Sequence, residues 1–263
     1  MRYLEAGSGR PVVWLHAFPL SAEQWLPQFA KVPPGWRFIA PDLRGFRGAR
    51  GAFEEIALAG ITMDDYADDV LALMSHLEID RAVVAGSSMG GYVAFAILRQ
   101  AAARVSGLVL VGTRAGADTD EGRAGRDRML DLVGREGVGA IAREMVPKLL
   151  GATTRREQPD LAEALARMIE MNSAGAVAAA IRALKARPDS RPLLPAIQCP
   201  TVIVAGDEDA IIPRAEAEAM HAAIPGATLQ ILPKIGHLPN VEGTGLFSTV
   251  LPMWGTGLEA WHQ

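Results

Sequence analysis

Six short runs of nearly uninterrupted apolar residues punctuate the chain: "PVVWLHA" (11–17), "RFIAPD" (37–42), "RAVVAGS" (81–87), "VSGLVLVGT" (105–113), "PTVIVAGD" (200–207) and "ATLQILP" (227–233). They are rich in Val, Ile and Leu and lack the apolar–polar alternation of a half-exposed strand, which predicts strands covered on both faces in a parallel sheet. Helical spacing fills the gaps. Residues 64–77 place Tyr66, Val70, Leu73 and Leu77 on one helical face, with the acids early in the helix. Residues 90–103 follow a glycine-rich turn, and 214–223 follow Pro213. Strand–helix alternation of this kind predicts an α/β fold with a mostly parallel, doubly covered sheet.

One region breaks the rhythm. Between Ala115 and Pro192 the pattern is helical only, and Pro147, Pro159 and Pro188 with Gly134, Gly137 and Gly151 divide it into three or four helices. Because strands resume afterwards, 115–192 is expected to be a helical cap inserted over one edge of the sheet. The core is then 1–114 and 193–263.

Composition narrows the function classes. Of 263 residues, 49% are apolar and 21% charged, and the net charge is −4, so no basic surface points to nucleic acid or an anionic membrane. A single cysteine, Cys199, cannot form an internal disulfide and is read as packing. The N-terminus lacks the basic-then-apolar signature of a secretory signal, and no apolar stretch reaches the roughly 18 residues of a spanning helix. These features predict a cytoplasmic protein that does not insert into membranes, acting as a monomer or homodimer.

In an open parallel sheet, ligands meet the carboxyl ends of the strands. There the runs deliver His16-Ala17-Phe18-Pro19, then Gly86-Ser87-Ser88-Met89-Gly90-Gly91, then Gly206-Asp207-Glu208-Asp209, and finally Gly236-His237. A serine, an acid and a histidine arrive in that order. On these segments the chain resembles the α/β-hydrolase family, in its subgroup of small capped esterases, lactonases and cofactor-free peroxidases. Gly86-Ser87-Ser88-Met89-Gly90 fits the G-x-S-x-G nucleophile elbow, whose serine sits at a sharp strand-to-helix turn. Only Ser88 has glycines two residues away on both sides; Ser87 would need them at Ala85 and Met89.

The resemblance implies roles for further residues. A serine hydroxyl needs a base to take its proton, and His237 in "IGHLPN" resembles the family's catalytic histidine loop. His76 and His221 fall in helical patterns and are read as solvated, and His262 lies in the tail. Gly206, Asp209 and Pro213 match the family's acid segment, which implies Asp209 as the group orienting the imidazole, with Asp207 the alternative. The backbone amides of Phe18 and Met89 are the implied oxyanion hole, and His16 is expected to hydrogen-bond loops beneath the site. Candidates for lining the substrate pocket are Trp25, Tyr92, Met129 and Met145. Met129, Met145, Met168 and Met171 suit an adaptable apolar acyl pocket and equally suit packing of cap helices on one another. Arg114 is read as meeting a surface acid such as Asp118 in preference to a substrate carboxylate. In "PDLRGFRG" (41–48), Asp42 and Arg44 are expected to be structural.

The implied function is hydrolysis of carboxylic esters with small to medium apolar acyl groups through an acyl-enzyme, with a small-molecule ester as partner. No cofactor is expected, and no spaced His/Cys cluster predicts a metal. Enol-lactone hydrolysis, carbon–carbon bond hydrolysis and cofactor-free perhydrolysis use the same machinery, and a ligand receptor on the same fold is the non-enzymatic alternative. A serine nucleophile argues against the aspartate-dependent dehalogenases. Two departures from the family pattern stand out. The chain starts close to its first expected strand, which is therefore missing or short, and Glu242-Gly243-Thr244-Gly245 replaces a proline-bearing helix start.

Overall fold

The computed structural model describes residues 1–47 and 60–249. His262 and the last residue of the stretch 41–48 lie outside them. Seven strands form one sheet in the order β1-β3-β2-β4-β5-β6-β7. They are β1 Tyr3–Gly7, β2 Arg10–Leu15, β3 Trp36–Pro41, β4 Ala82–Ser87, β5 Val105–Val111, β6 Thr201–Gly206 and β7 Thr228–Leu232. β1 runs antiparallel to β3, and every other pairing is parallel. The first strand exists but is short, five residues at the sheet edge. Its partly exposed pattern, without a continuous apolar run, carries no strand signal in the sequence.

Alternation along the strands divides the core into two layers. Val13, Leu15, Val84, Leu108, Leu110 and Ile203 face one side, where Met63–His76 (α2) and Met89–Ala101 (α3) cover the sheet. Val12, Trp14, Phe38, Val83, Val109 and Val204 face the other, with Trp25 and Phe247. Leu26–Phe29 (α1) follows Trp25 in the chain. The expectation that Trp25 lines a pocket is corrected here. Its ring packs 4.7 Å from Trp14 and 6.2 Å from Phe247, fully buried, whereas Tyr92, Met129 and Met145 belong to the opposite layer.

α2 starts where a capping box sets it, with the Thr62 hydroxyl accepting from Asp65 N–H and the Asp65 carboxylate accepting from Thr62 N–H. Between β5 and β6 the described chain holds five α-helices: Asp120–Glu136 (α4), Val138–Leu149 (α5), Ala152–Glu157 (α6), Pro159–Glu170 (α7) and Ala174–Ala186 (α8). The punctuation read from sequence predicted three or four. Gly134 and Pro147 lie inside helices, and the break that was not legible is made by Ser173, whose hydroxyl accepts from Ala176 N–H as an N-cap. Arg214–Ala223 (α9) precedes β7, and the chain continues through Pro239–Glu242 (α10) and Thr244–Ser248 (α11), separated at Gly243.

Candidate active site

β4 ends at Ser87 and α3 begins at Met89, leaving Ser88 alone at the turn with φ 50° and ψ −108°. That region is costly for a residue with a Cβ, and such strain is tolerated where surrounding contacts over-determine it. They do so here. Ser88 N–H donates to Val111 O (2.8 Å), while Ser88 O accepts from Gly91 N–H (2.9 Å) and from the Thr113 hydroxyl (2.9 Å). The flanking glycines have a steric reason: a Cβ on Gly86 would lie 2.3 Å from Gly90 O, and one on Gly90 2.2 Å from Leu15 O. The two serines are treated differently. Ser87 is fully buried and accepts from Gln24 Nε2 (3.0 Å), whereas Ser88 keeps partial exposure.

Past β6, Asp209 Oδ2 lies 2.8 Å from His237 Nδ1, with both side chains only 1% exposed. The other carboxylate oxygen accepts from Ile211 N–H (2.8 Å) and Ile212 N–H (3.0 Å), which locks the acid's rotamer. With Nδ1–H directed at the carboxylate, Nε2 is left with its lone pair free to act as a base. Asp207 is exposed and accepts instead from Lys234 N–H (2.6 Å) at the turn after β7. The imidazole lies over Gly112, where a Cβ would be 3.3 Å from Nδ1. Gly112 follows Val111, whose carbonyl holds Ser88, so these loops converge on one rim of the sheet. His76 and His221 are exposed on α2 and α9.

The histidine loop is braced by a residue that sequence reasoning noted only for its altered surroundings. Glu242 is buried, and its Oε2 accepts from Gly236 N–H (3.0 Å) and Gly151 N–H (2.7 Å) while Oε1 accepts from Leu238 N–H (2.9 Å). Both neighbours of His237 are thereby tied to one carboxylate, and His237 N–H itself donates to Leu149 O (3.2 Å) at the end of α5. Gly236 must lack a side chain, since a Cβ there would be 2.1 Å from Gly151 N. Beside Asp209, Glu208 accepts from Thr153 N–H (2.7 Å) and the Thr153 hydroxyl (2.6 Å), bonds that hold its carboxyl below the usual range. The only sequence signal for these ties was an acid shortly after Gly-His.

Met89 is the first residue of α3, so its N–H has no intrahelical acceptor. Phe18 lies in the loop after β2, where Ala17 N–H donates to Gln24 Oε1 (2.7 Å). Gln24 Nε2 bonds Ser87 Oγ and also Asn240 Oδ1 (3.1 Å), joining the Phe18 loop, the elbow and the start of α10. Asn172 Nδ2 donates to Pro19 O (2.9 Å), fastening this loop to the end of α7. These buried amides were not legible in the sequence, because their partners lie far along the chain.

His16 sits beneath the loop, with Nδ1 3.0 Å from Ala17 O and Nε2 accepting from Leu43 N–H (3.0 Å). It is therefore the neutral Nδ1–H tautomer. Burial pushes its pKa down to about 4, against a smaller upward pull from the Ala17 carbonyl. The unfolded chain takes up this proton near pH 6.5 and the folded protein only near 4, so stability is lost as pH falls through that window. Urea unfolding should show a loss of about 3 kcal/mol between pH 7 and pH 4 that His16→Asn lacks; equal pH slopes would refute the assignment.

Among the pocket candidates, Tyr92 is buried on α3 with the Arg187 guanidinium carbon 4.3 Å from its ring centroid. Met129 and Met145 are buried on α4 and α5. Arg114 pairs with Asp118 at 2.9 Å. Asp42 accepts from Ala22 N–H (2.8 Å) and Arg44 pairs with Asp69, both ties within the scaffold. Among the described residues no group of three or more His, Cys, Asp or Glu side chains is placed to hold a metal ion.

A family model described as the alpha/beta hydrolase fold matches residues 10–244. The chain belongs to the α/β-hydrolase family. Within it, the structure of a thermophilic esterase from Thermogutta terrifontis, malate bound, is similar with a TM-score of 0.89 and 39% identity, covering 97% of this chain and 93% of that one. The enol-lactonase from Burkholderia xenovorans LB400 is similar with a TM-score of 0.85 and 25% identity, covering 97% and 96%. A non-heme haloperoxidase of Rhodococcus erythropolis is 30% identical across 89% of this chain and 88% of its own. Esterase and lactonase relatives over nearly the whole length make this α/β-hydrolase family member a hydrolase. No helix among the described residues is long and apolar enough to cross a membrane.

Proposed function

We propose that the protein is a serine carboxylic-ester hydrolase acting on small to medium apolar acyl esters. Ser88 Oγ attacks the ester carbonyl as His237 Nε2 takes its proton, and Asp209 holds the imidazole and stabilises its cation. The oxyanion is met by the amides of Phe18 and Met89. His237 returns the proton to the departing alcohol, then activates the water that cleaves the acyl-enzyme. Residues 115–192 act as the cap, with Tyr92, Met129 and Met145 at the acyl pocket and the core at 1–114 and 193–263. The observation that carries this reading is a strained serine on the rim that also bears an Asp–His pair 2.8 Å apart and shielded from water. Its resemblance to the Thermogutta esterase supports an ester over the alternatives.

The enol-lactonase and haloperoxidase relatives keep two other acyl reactions in play. A p-nitrophenyl series from acetate to decanoate separates them. Steady turnover is expected, strongest for the shorter acyl groups. No turnover of any ester, with turnover of an enol-lactone or diketone or with peracid formation from a carboxylic acid and hydrogen peroxide, would replace the esterase reading; none of these activities would leave a receptor.

A further inference from the structure

Three arginines converge on one carboxylate beside this rim. Asp118 Oδ1 accepts from Arg114 Nη2 (2.9 Å) and Arg187 Nη1 (2.8 Å), and Oδ2 accepts from Arg126 Nε (3.1 Å). Burial alone would raise the Asp118 carboxyl, but Arg126 and Arg187 outweigh it and hold the group below the usual range. Among the described residues no second acid pairs with any of the three arginines, so the cluster carries two positive charges in excess. Burying uncompensated charge is expensive, and a tie between helices and sheet needs only one guanidinium per carboxylate. Arg187 is the most enclosed, 2% exposed; its Nη1 and Nη2 donate to Leu184 O (2.9 Å) and Gly116 O (3.1 Å), and only its Nε lacks a partner, as does the buried Arg114 Nε.

The cluster adjoins the reactive serine. Arg114 follows Thr113, whose hydroxyl bonds the Ser88 carbonyl. Arg187 stacks on Tyr92, one turn beyond Ser88 on α3. On α4, Arg126 shares a face with the buried Met129 and Val133, at i, i+3 and i+7. Arg114 and Arg126 keep 22% and 19% of their side-chain surface exposed, so a solute can reach them.

We propose that these arginines receive a free carboxylate, and that the preferred substrates are half-esters of short dicarboxylic acids. The ester carbonyl meets Ser88, the methylenes pass Tyr92 and Met129, and the distal carboxylate docks on Arg114 and Arg126. A planar guanidinium fork suits a carboxylate in particular. This deepens the esterase reading and rests on it.

The test compares monoethyl glutarate with ethyl butyrate. Wild type should favour the charged ester in kcat/KM, and Arg126→Gln should lower that preference by about tenfold, mainly through KM. Arg114→Met should do the same, and Arg126→Lys should restore part of the preference because it keeps the charge. A wild-type preference for the neutral ester, or an equal fall for both esters in the variants, would overturn the proposal and leave the cluster a structural tie. Calorimetry with glutarate itself gives a readout independent of turnover. Binding that weakens in Arg126→Gln supports the carboxylate site even if no ester is hydrolysed, an outcome that would sink only the esterase reading; no glutarate binding to folded wild type counts against the site.

Discussion

Ester turnover should vanish in Ser88→Ala, by about a million-fold in kcat, and survive in Ser87→Ala within a few-fold. The two serines are neighbours in sequence but opposites in environment. Ser88 stands at the turn with φ 50°, partly exposed, its backbone bound to Val111 at the end of β5 and to Thr113 just after it. Ser87 is sealed inside, and its hydroxyl accepts one bond from Gln24 Nε2, which also bonds Asn240 Oδ1. Losing that acceptor costs about 1 kcal/mol of stability and moves no reacting group. Single-turnover kinetics with p-nitrophenyl butyrate and labelling by a fluorophosphonate would check both points. Label on a Ser87 peptide, or near-normal rates in Ser88→Ala, would overturn the assignment.

The second large effect is expected at the acid. Asp209→Asn should lower kcat by about ten-thousand-fold with the fold intact. The amide oxygen can still accept from Ile211 and Ile212, so the loop keeps its shape. The amide nitrogen, however, is a donor facing His237 Nδ1, and the imidazole must respond by moving its proton to Nε2. A protonated Nε2 cannot take the serine proton. Asp207→Asn should change kcat little, because Asp207 serves the turn at Lys234. Equal losses in the two variants, or full activity in Asp209→Asn, would contradict the roles proposed for them. Thermal melts of both variants guard against misreading an unfolded protein.

Much of the fold was legible locally. Each of the six apolar runs coincides with a strand to within two residues at either end, and the three helices read outside the 115–192 region start within a residue of the observed ones. Period and composition report burial on both faces, and a buried parallel sheet offers few alternatives. What failed has physical causes. β1 is an edge strand with mixed exposure, so it has no continuous apolar run. The last helix between β5 and β6 begins at a serine cap, and the glycine beside it, Gly175, lies inside the helix and does not break the chain. Trp25 looked like a pocket residue because it is aromatic, yet strand alternation puts Trp14 on the far face and Trp25 packs with it.

By itself, then, the sequence determined the order of the six buried strands and the helices flanking them, the glycine frame around Ser88 and the arrival of an acid and a histidine at strand ends. These depend on neighbours within a few residues, where sterics and periodicity act. Only the tertiary structure decided that Glu242 binds both flanks of His237 and Gly151, that Gln24 and Asn240 join three loops, and that three arginines share Asp118. Those pairings span up to 216 residues of chain, and a hydrogen bond between groups so far apart leaves no periodic trace: it exists only once the sheet has folded and closed the distance.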